Sequence, residues 1–452
     1  MMPLTKALGQ FVSELSPNRL SAEAKHVAKT GFIDCIATMI AGWGEQAPQI
    51  LKTVLNPVSG KATLYFSDQT SPAPEAAWIN GTAAHALDFD DVAMRGHPST
   101  VLVPAILAEG EDLNASGAAM LVAYVAGYET WAELVRRDKG FHHNKGWHPT
   151  GIFGAIATAA ACASLRELDA ERAAQALSLG ASQSAGLMAN FGTMTKPFHA
   201  GRAAHAGIMA ARLAEAGFTS SMDGLEHPQG FLSAVSPAGE VDRGDAPPTL
   251  GKEFQIEKFG LSIKKYPTCY CTHRAIDGML DLVASNKVRP DEVSEITVTL
   301  SENYATILRN HTPQTGLAAK FSIEFAMSCA IVAHRVGLAE LTDTFVQRGD
   351  VQSLIGRVSI ETNRNYDPES SGASVQDQVS IRLVSGETLI GEPVTHARGH
   401  AKRPLSEGEL FMKFENCLDV GKSRVPASVL FERLKGLEYA SARQITAPEG
   451  RS

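Results

Sequence analysis

The sequence predicts a mainly α fold, with a large all-helical domain and a smaller α+β domain built on an antiparallel sheet. Three observations predict it. Up to about residue 260, apolar residues recur at helical spacing, and several runs are rich in alanine and glycine, such as Gly154–Ala155–Ile156–Ala157. Near Gly260 the texture changes to short segments that alternate apolar and polar residues. After Pro404 helical spacing returns, through Phe411–Met412 and Val429–Leu430–Phe431. The last helices are therefore expected to rejoin the first bundle, giving an all-helical domain of residues 1–262 and 400–452 and an α+β domain of 263–399. A chain of 452 residues has room for two domains, since one core rarely grows beyond roughly 250–300 residues.

The elements follow in order. Ser21 opens a helix through Phe32, Ile36 and Ile40 to Gly42. Further helices are expected from Leu102 to Glu109, Ala115 to Arg136, Gly151 to Leu165, Asp169 to Leu187 and Pro197 to Ala216. Asp169 is a good N-cap and Gly217 a good stop. In the second part, Glu295–Leu300 and Arg357–Glu361 alternate as half-buried strands do. Val379–Leu383, Ser385–Gly386 and Thr388–Ile390 read as a hairpin. Helices from about Thr272 to Asn286 and from Ala318 to Val336 sit among these strands. Gly450–Arg451–Ser452 reads as an appended or frayed tail and is left out of the fold.

Composition narrows the function classes. A hydrophobic fraction of 44% and a charged fraction of 20% are those of a soluble globular protein. A net charge of −8 argues against nucleic acid as a partner. No apolar run reaches the roughly 20 residues of a membrane helix. Met1–Met2–Pro3–Leu4–Thr5–Lys6 lacks the apolar core of a signal peptide. Six cysteines are too sparse for a disulfide framework, so a reduced, cytoplasmic protein is expected.

The chemistry concentrates in a few segments. His85–Ala86–Leu87–Asp88–Phe89–Asp90–Asp91 is followed at once by His97–Pro98–Ser99–Thr100, with small apolar flanks. Buried carboxylates are costly unless paired, so the cluster is either a capped loop or a site of proton chemistry. In the capped-loop reading Asp90 and Asp91 cap the loop and pair with cations, leaving Asp88 as the chemical one. Trp147–His148–Pro149–Thr150–Gly151 sets a histidine at a helix start, where the dipole disfavours its charged form. Lys196 precedes another Ala/Gly helix, with Arg202 further along, and this pair suits a carboxylate or phosphate. Lys264–Lys265–Tyr266–Pro267–Thr268–Cys269–Tyr270–Cys271 lies at the change of texture. A lysine beside another cation has a lowered pKa and can act as a base, and a cysteine near cations can become a thiolate. Cys269 and Cys271 with no second pair are a weak zinc signal. His85, His199 and His205 read as packing or hydrogen-bonding residues, and His142–His143 as surface. No nucleotide-binding, zinc-protease or iron–sulfur pattern is present.

Gly31–Phe32–Ile33–Asp34–Cys35, Asn80–Gly81 through Asp91, His97–Pro98–Ser99, His148–Pro149–Thr150–Gly151, Lys196–Pro197–Phe198–His199–Ala200–Gly201 and Tyr266–Pro267–Thr268–Cys269 appear in that order. Together they resemble the MmgE/PrpD family, which includes 2-methylcitrate dehydratase, cis-aconitate decarboxylase and iminodisuccinate epimerase. The resemblance covers nearly the whole chain. It implies a homodimer with no metal and no organic cofactor, and proton movement at a carbon next to a carboxylate. It places site residues at Asp88, His97, His148, Lys196 and Lys264, with Tyr266 and Cys269 beside the last. Val92 stands where the decarboxylase has a threonine, and Cys269 where it has a histidine. Both departures point away from cis-aconitate decarboxylation.

The expected substrate is a small di- or tricarboxylate held by Lys196, Arg202 and Arg95, with Lys264 contributing charge. Asp88, His97, His148, Lys264, Tyr266 and Cys269 are the expected catalytic set. Epimerisation of the iminodisuccinate type is the first expectation, with Cys269, Tyr266 and Lys264 opposing His97 and His148 as proton carriers. Dehydration of the 2-methylcitrate type is the alternative. A binding protein without turnover is a third reading, which the retained His97, His148, Lys196 and Lys264 oppose.

Overall fold

A computed structural model describes residues 2–64, 69–368 and 372–447; the tail Gly450–Ser452 lies outside them. The chain divides into two compact units. The first comprises Met1–Asn190, Met194–Leu261 and Ser406–Ser452, and the second Phe191–Thr193 and Ser262–Leu405.

Among the described residues, the first unit is helical apart from a short antiparallel pair of strands. Its helices are α1 (Leu4–Glu14), α2 (Ala22–Gly42), α3 (Gln46–Leu55), α4 (Ala73–Ala86), α5 (Ser99–Leu113), α6 (Gly117–Arg136), α7 (Pro149–Leu165), α8 (Ala170–Ala181), α9 (Thr195–Glu215), α10 (Phe231–Val235) and α11 (Gln255–Phe259). Strands β1 (Ala62–Thr63) and β2 (Thr70–Ser71) pair before α4. The expected starts are met by side chains: Ser21 Oγ accepts from Ala24 N–H, and Asp169 Oδ1 from Arg172 N–H. Helix α8 stops at Ala181, short of the expected Leu187. Polar residues take the chain out of the helix there, and Ser184 Oγ donates instead to Ile152 O at 2.7 Å.

Small residues decide which helices touch. A Cβ on Gly201 of α9 would meet Trp78 O of α4 at 2.1 Å, and one on Gly81 would meet Gly201 Cα at 2.9 Å. The two helices therefore pack backbone to backbone, and α9 brings its first turn against the end of α4. This explains the Ala/Gly texture: α4, α7 and α9 are buried nearly all round and show no amphipathic stripe.

Glu129 of α6 is buried and accepts from Gln255 N–H at 2.9 Å and Ile256 N–H at 2.8 Å, fastening α11. Burial pushes its carboxyl up from 4.5 to about 7, against the pull of those two bonds. Between these values the folded chain keeps a proton that the open chain has lost. Its contribution is therefore most favourable below pH 4.5 and is lost as pH rises to about 7. Urea unfolding of wild type and Glu129→Gln should show the wild type losing roughly 3 kcal/mol relative to the variant across that window.

The second unit carries α12 (His273–Asn286), β3 (Val293–Ser301), α13 (Glu302–Ile307), α14 (Gly316–Ala319), α15 (Ile323–Ala333), α16 (Asp343–Val346), α17 (Gly349–Ile355), β4 (Val358–Asn363), β5 (Gln378–Leu383) and β6 (Thr388–Ile390). The expected hairpin is β5–β6, with Arg382 opposite Thr388. The sheet order is β4-β3-β5-β6, and the sheet is mixed. The expected antiparallel pairing holds for β3, β5 and β6. Strand β4 joins β3 in parallel because the chain crosses over through α13–α17 between them. Ile296, Val298 and Leu300 point to one buried face. The expected helix Ala318–Val336 is broken at 320–322, where Ser322 Oγ caps Phe325 N–H and restarts it.

The chain then returns to the first unit as α18 (Glu407–Val420), α19 (Ala427–Lys435) and α20 (Ala442–Thr446). Ser406 and Glu409 form a capping box at the start of α18.

Candidate active site

The loop between α4 and α5 is shaped by local geometry. Asp88 sits at φ 51°, and Met94 and Arg95 at 46° and 71°. The left-handed region is costly for side chains other than glycine, asparagine and aspartate, so the fold imposes this path. Ala93 and Gly96 exchange backbone hydrogen bonds at 3.0 Å. A Cβ at Gly96 would meet the Trp131 ring at 2.6 Å. Arg95 donates to Asp138 O and Gly140 O at 2.9 and 2.5 Å, and lies 3.3 Å from His142 Nδ1. The guanidinium of Arg95, expected from sequence to bind substrate, thus fastens the loop in this structure. His142, read as surface, is buried by that clamp.

The loop's carboxylates divide their tasks. Asp90 is fully buried and accepts from two imidazoles: His85 Nδ1 lies 2.9 and 3.0 Å from its oxygens, and His97 Nδ1 lies 3.0 Å from Oδ2. His97 Nδ1 is also 2.8 Å from Asp91 O. Two acceptors at Nδ1 fix the proton there and leave Nε2 unprotonated in the neutral ring. Nε2 is turned toward Asp88, 3.9 Å from Oδ1. Burial alone would raise the Asp90 carboxyl, but the facing His85 and His97 hold it well below the usual range. His85 is pushed down to about 3 by burial, against the pull of Asp90, and is neutral.

Asp88 Oδ1 accepts from Lys196 Nζ at 2.6 Å, and both residues are buried. Three residues further along α9, on the same face, stands His199. Its Nδ1 is 3.1 Å from Nδ1 of His148, the residue that precedes α7. The backbone N–H of His148 donates to Gly186 O at 3.0 Å. Gly186 has φ 129°, and a Cβ there would meet His199 Cγ at 3.2 Å, so glycine makes room for the pair. Burial, helped by the Lys196 charge, pushes His148 well below 6.5 and His199 down to about 4. The His85 ring lies 4.4 Å from that of His97 and 5.8 Å from that of His148.

A second layer lies beneath. Lys413 of α18 is buried, with Nζ 2.5 Å from Asp34 Oδ1 and donating to Phe89 O at 2.7 Å; it also sits 4.1 Å over the Phe89 ring. Asp91 accepts from the N–H and hydroxyl of Ser99, and Ser99 Oγ is 2.6 Å from Tyr124 OH. Burial and then the charge of Asp34 push the Asp91 carboxyl well up. Asp91 is thus the cap at the start of α5, whereas Asp90 is a bridge between imidazoles.

Other expected residues lie in different surroundings. Arg202 is six residues beyond Lys196 on α9; its guanidinium lies 5.5 Å over the Trp78 ring, with Nη1 3.2 Å from His205 Nδ1. In the second unit, Lys264 is fully buried and Cys269 is buried, with its N–H on Lys320 O at 2.9 Å. Tyr266 OH donates to Asp277 Oδ1 at 2.5 Å, and burial with Asp277 pushes the phenol far above its ordinary value. Arg398 also contacts Asp277, at 3.1 Å. Tyr266, expected from sequence to be a proton carrier, thus has its hydroxyl on Asp277 in this structure.

His85, Asp88, Asp90 and His97 each offer one metal-ligand atom within 4.8 Å of the others, among the described residues. Imidazole N–H groups already hold Asp90, and an ammonium already sits on Asp88. A cation entering here would have to displace Lys196 and both histidine bonds. The donor set fits proton traffic better than metal coordination.

Imidazoles aligned by a buried carboxylate, beside a buried ammonium, are groups that can move protons. The sequence profile of the MmgE/PrpD N-terminal domain matches residues 6–243, and that of the C-terminal domain residues 266–429. The chain belongs to the MmgE/PrpD family. It is 27% identical to the cis-aconitate decarboxylase of Homo sapiens, over 76% of this chain and 72% of that one. It is 24% identical to the Mus musculus enzyme of the same name, over 97% and 92%. With an Aspergillus terreus cis-aconitate decarboxylase it shares 23% identity over 91% and 88%. No described helix is long and apolar enough to cross a membrane.

Proposed function

We propose that this chain is a lyase that removes the elements of water from a small di- or tricarboxylate, as 2-methylcitrate dehydratase does. The carrying observation is His97, held by Asp90 with Nε2 turned toward the Asp88–Lys196 pair. His97 Nε2 takes the proton next to a substrate carboxylate. The carbon's electron pair forms the new double bond, and the hydroxyl leaves with the Nε2 proton of His148 as water. Lys196 offers charge to the carboxylate as it gains enolate character. The likeness to lyases supports elimination, and Val92 and Cys269 weigh against decarboxylation. The protein is expected to act as a homodimer in the cytoplasm.

Epimerisation of an iminodisuccinate-type acid is the second reading. It uses the same base but needs another carrier to return the proton, and Cys269 is the candidate once Tyr266 is committed to Asp277.

The test is proton NMR in D2O, with 2-methylcitrate, iminodisuccinate and cis-aconitate in separate samples. An alkene from 2-methylcitrate is the expected result. Inversion with deuterium uptake and no alkene would establish the epimerase, and a Cys269→Ser variant that kept full rate would then remove the thiol. Carbon dioxide from cis-aconitate would establish a decarboxylase. Binding without turnover of any acid would overturn the enzyme reading.

A further inference from the structure

We propose that His199 is the proton relay that resupplies His148. The inference rests on the reading above, in which His148 gives up a proton. A neutral imidazole that loses its Nε2 proton with nothing else moving becomes an imidazolate, which is far too basic to form in a buried site. It can act as an acid only if a proton reaches its other nitrogen in the same event.

That nitrogen lies 3.1 Å from His199 Nδ1. A bond between two such nitrogens needs one proton, so one ring is protonated at Nδ1 and the other presents a lone pair. With the proton on His199, His148 carries its own on Nε2. In the step, His148 Nε2–H goes to the leaving hydroxyl, His199 Nδ1–H goes to His148 Nδ1, and water protonates His199 Nε2. Both rings begin and end neutral, and one proton has passed from water to the leaving group. Run backwards, the same path carries a proton out.

Burial sets the direction of supply. His148 is 1% exposed and His199 9%, so the outer ring is the one that meets water. The glycine at 186 is what lets the outer ring lie against the inner one. His199 touches no reacting atom in this scheme, so it is a positioning and relay residue.

The experiment uses the whole protein labelled with ¹⁵N-histidine, with His148→Gln to assign the His148 signals. His199→Asn places an amide where Nδ1 stands and keeps a hydrogen bond to His148, but an amide cannot pass the proton on. His199→Leu removes both functions. The relay predicts that exchange of the His148 N–H with water slows about 10²-fold in both variants, with turnover of 2-methylcitrate falling in parallel. The tautomer of His148 is expected to persist in His199→Asn and to be lost in His199→Leu. Unchanged exchange in His199→Asn overturns the relay, whatever the Leu variant does. If the wild type turns over none of the three acids, the lyase reading fails, and the exchange rate still decides the relay.

Discussion

Asp90→Asn is expected to lower kcat by about 10²–10⁴-fold, the range over which a positioned acid or base contributes. The wild-type carboxylate accepts from His85 and His97 at once. An asparagine amide keeps one acceptor oxygen and replaces the other with an NH2 group. With the NH2 at the Oδ2 position, it meets the His97 Nδ1–H donor to donor, and only Asp91 O is left to hold that proton. The ring is then pushed from the orientation that turns Nε2 toward Asp88. The variant also lacks the negative charge that stabilises the imidazolium formed during reaction. Near-UV circular dichroism is expected to stay as in the wild type, and kcat with 2-methylcitrate is the measurement. An unchanged kcat would remove Asp90, and with it the alignment of His97, from the mechanism.

Lys413→Met is expected to cost about 3–5 kcal/mol of folding stability, because removing one partner leaves a buried charge uncompensated. Asp34 is 1% exposed, and burial already raises its carboxyl although Lys413 opposes this. Without the ammonium it must either take up a proton or draw water into the core. Adding Asp34→Asn to the same chain removes the stranded charge and should restore most of the loss. Urea unfolding of both single variants and the double variant measures the coupling. Activity is expected to fall as well in Lys413→Met, since Phe89 O, between Asp88 and Asp90, loses its donor.

The parts of this molecule that are legible in sequence are those written in local pattern. Ser21, Asp169 and Ser406 start helices because a short acceptor precedes apolar spacing, and β3 alternates because one face is buried. The motif segments around Asp88, His97, His148 and Lys196 are legible as chemistry, and in the structure these four lie in one helical unit. What each carboxylate does is not legible. Asp88, Asp90 and Asp91 are near neighbours of one type, and only the left-handed turn at Asp88 separates an ammonium partner from an imidazole bridge and a helix cap. His199 reads as a packing residue because nothing in its own segment announces His148, 51 residues away. A signal existed in Gly186, whose positive φ marks a close approach, but one sequence does not say to what. Tyr266 reads as a free phenol because Asp277 is eleven residues on and the sequence does not show that the intervening chain folds back.

Lys413 also has a consequence in time. It meets Phe89 across 324 residues of sequence, and the whole second unit is translated between the two. A chain leaving the ribosome carries Asp34 through the entire synthesis of that unit before the ammonium that faces it emerges. Bundle helices form quickly from local contacts, but this last contact is among the most distant the chain makes. The loop that carries Asp88 and Asp90 therefore gains its contact with Lys413 only at the end of synthesis. A chain cut before Lys413 lacks both the ammonium that faces Asp34 and the donor to Phe89 O.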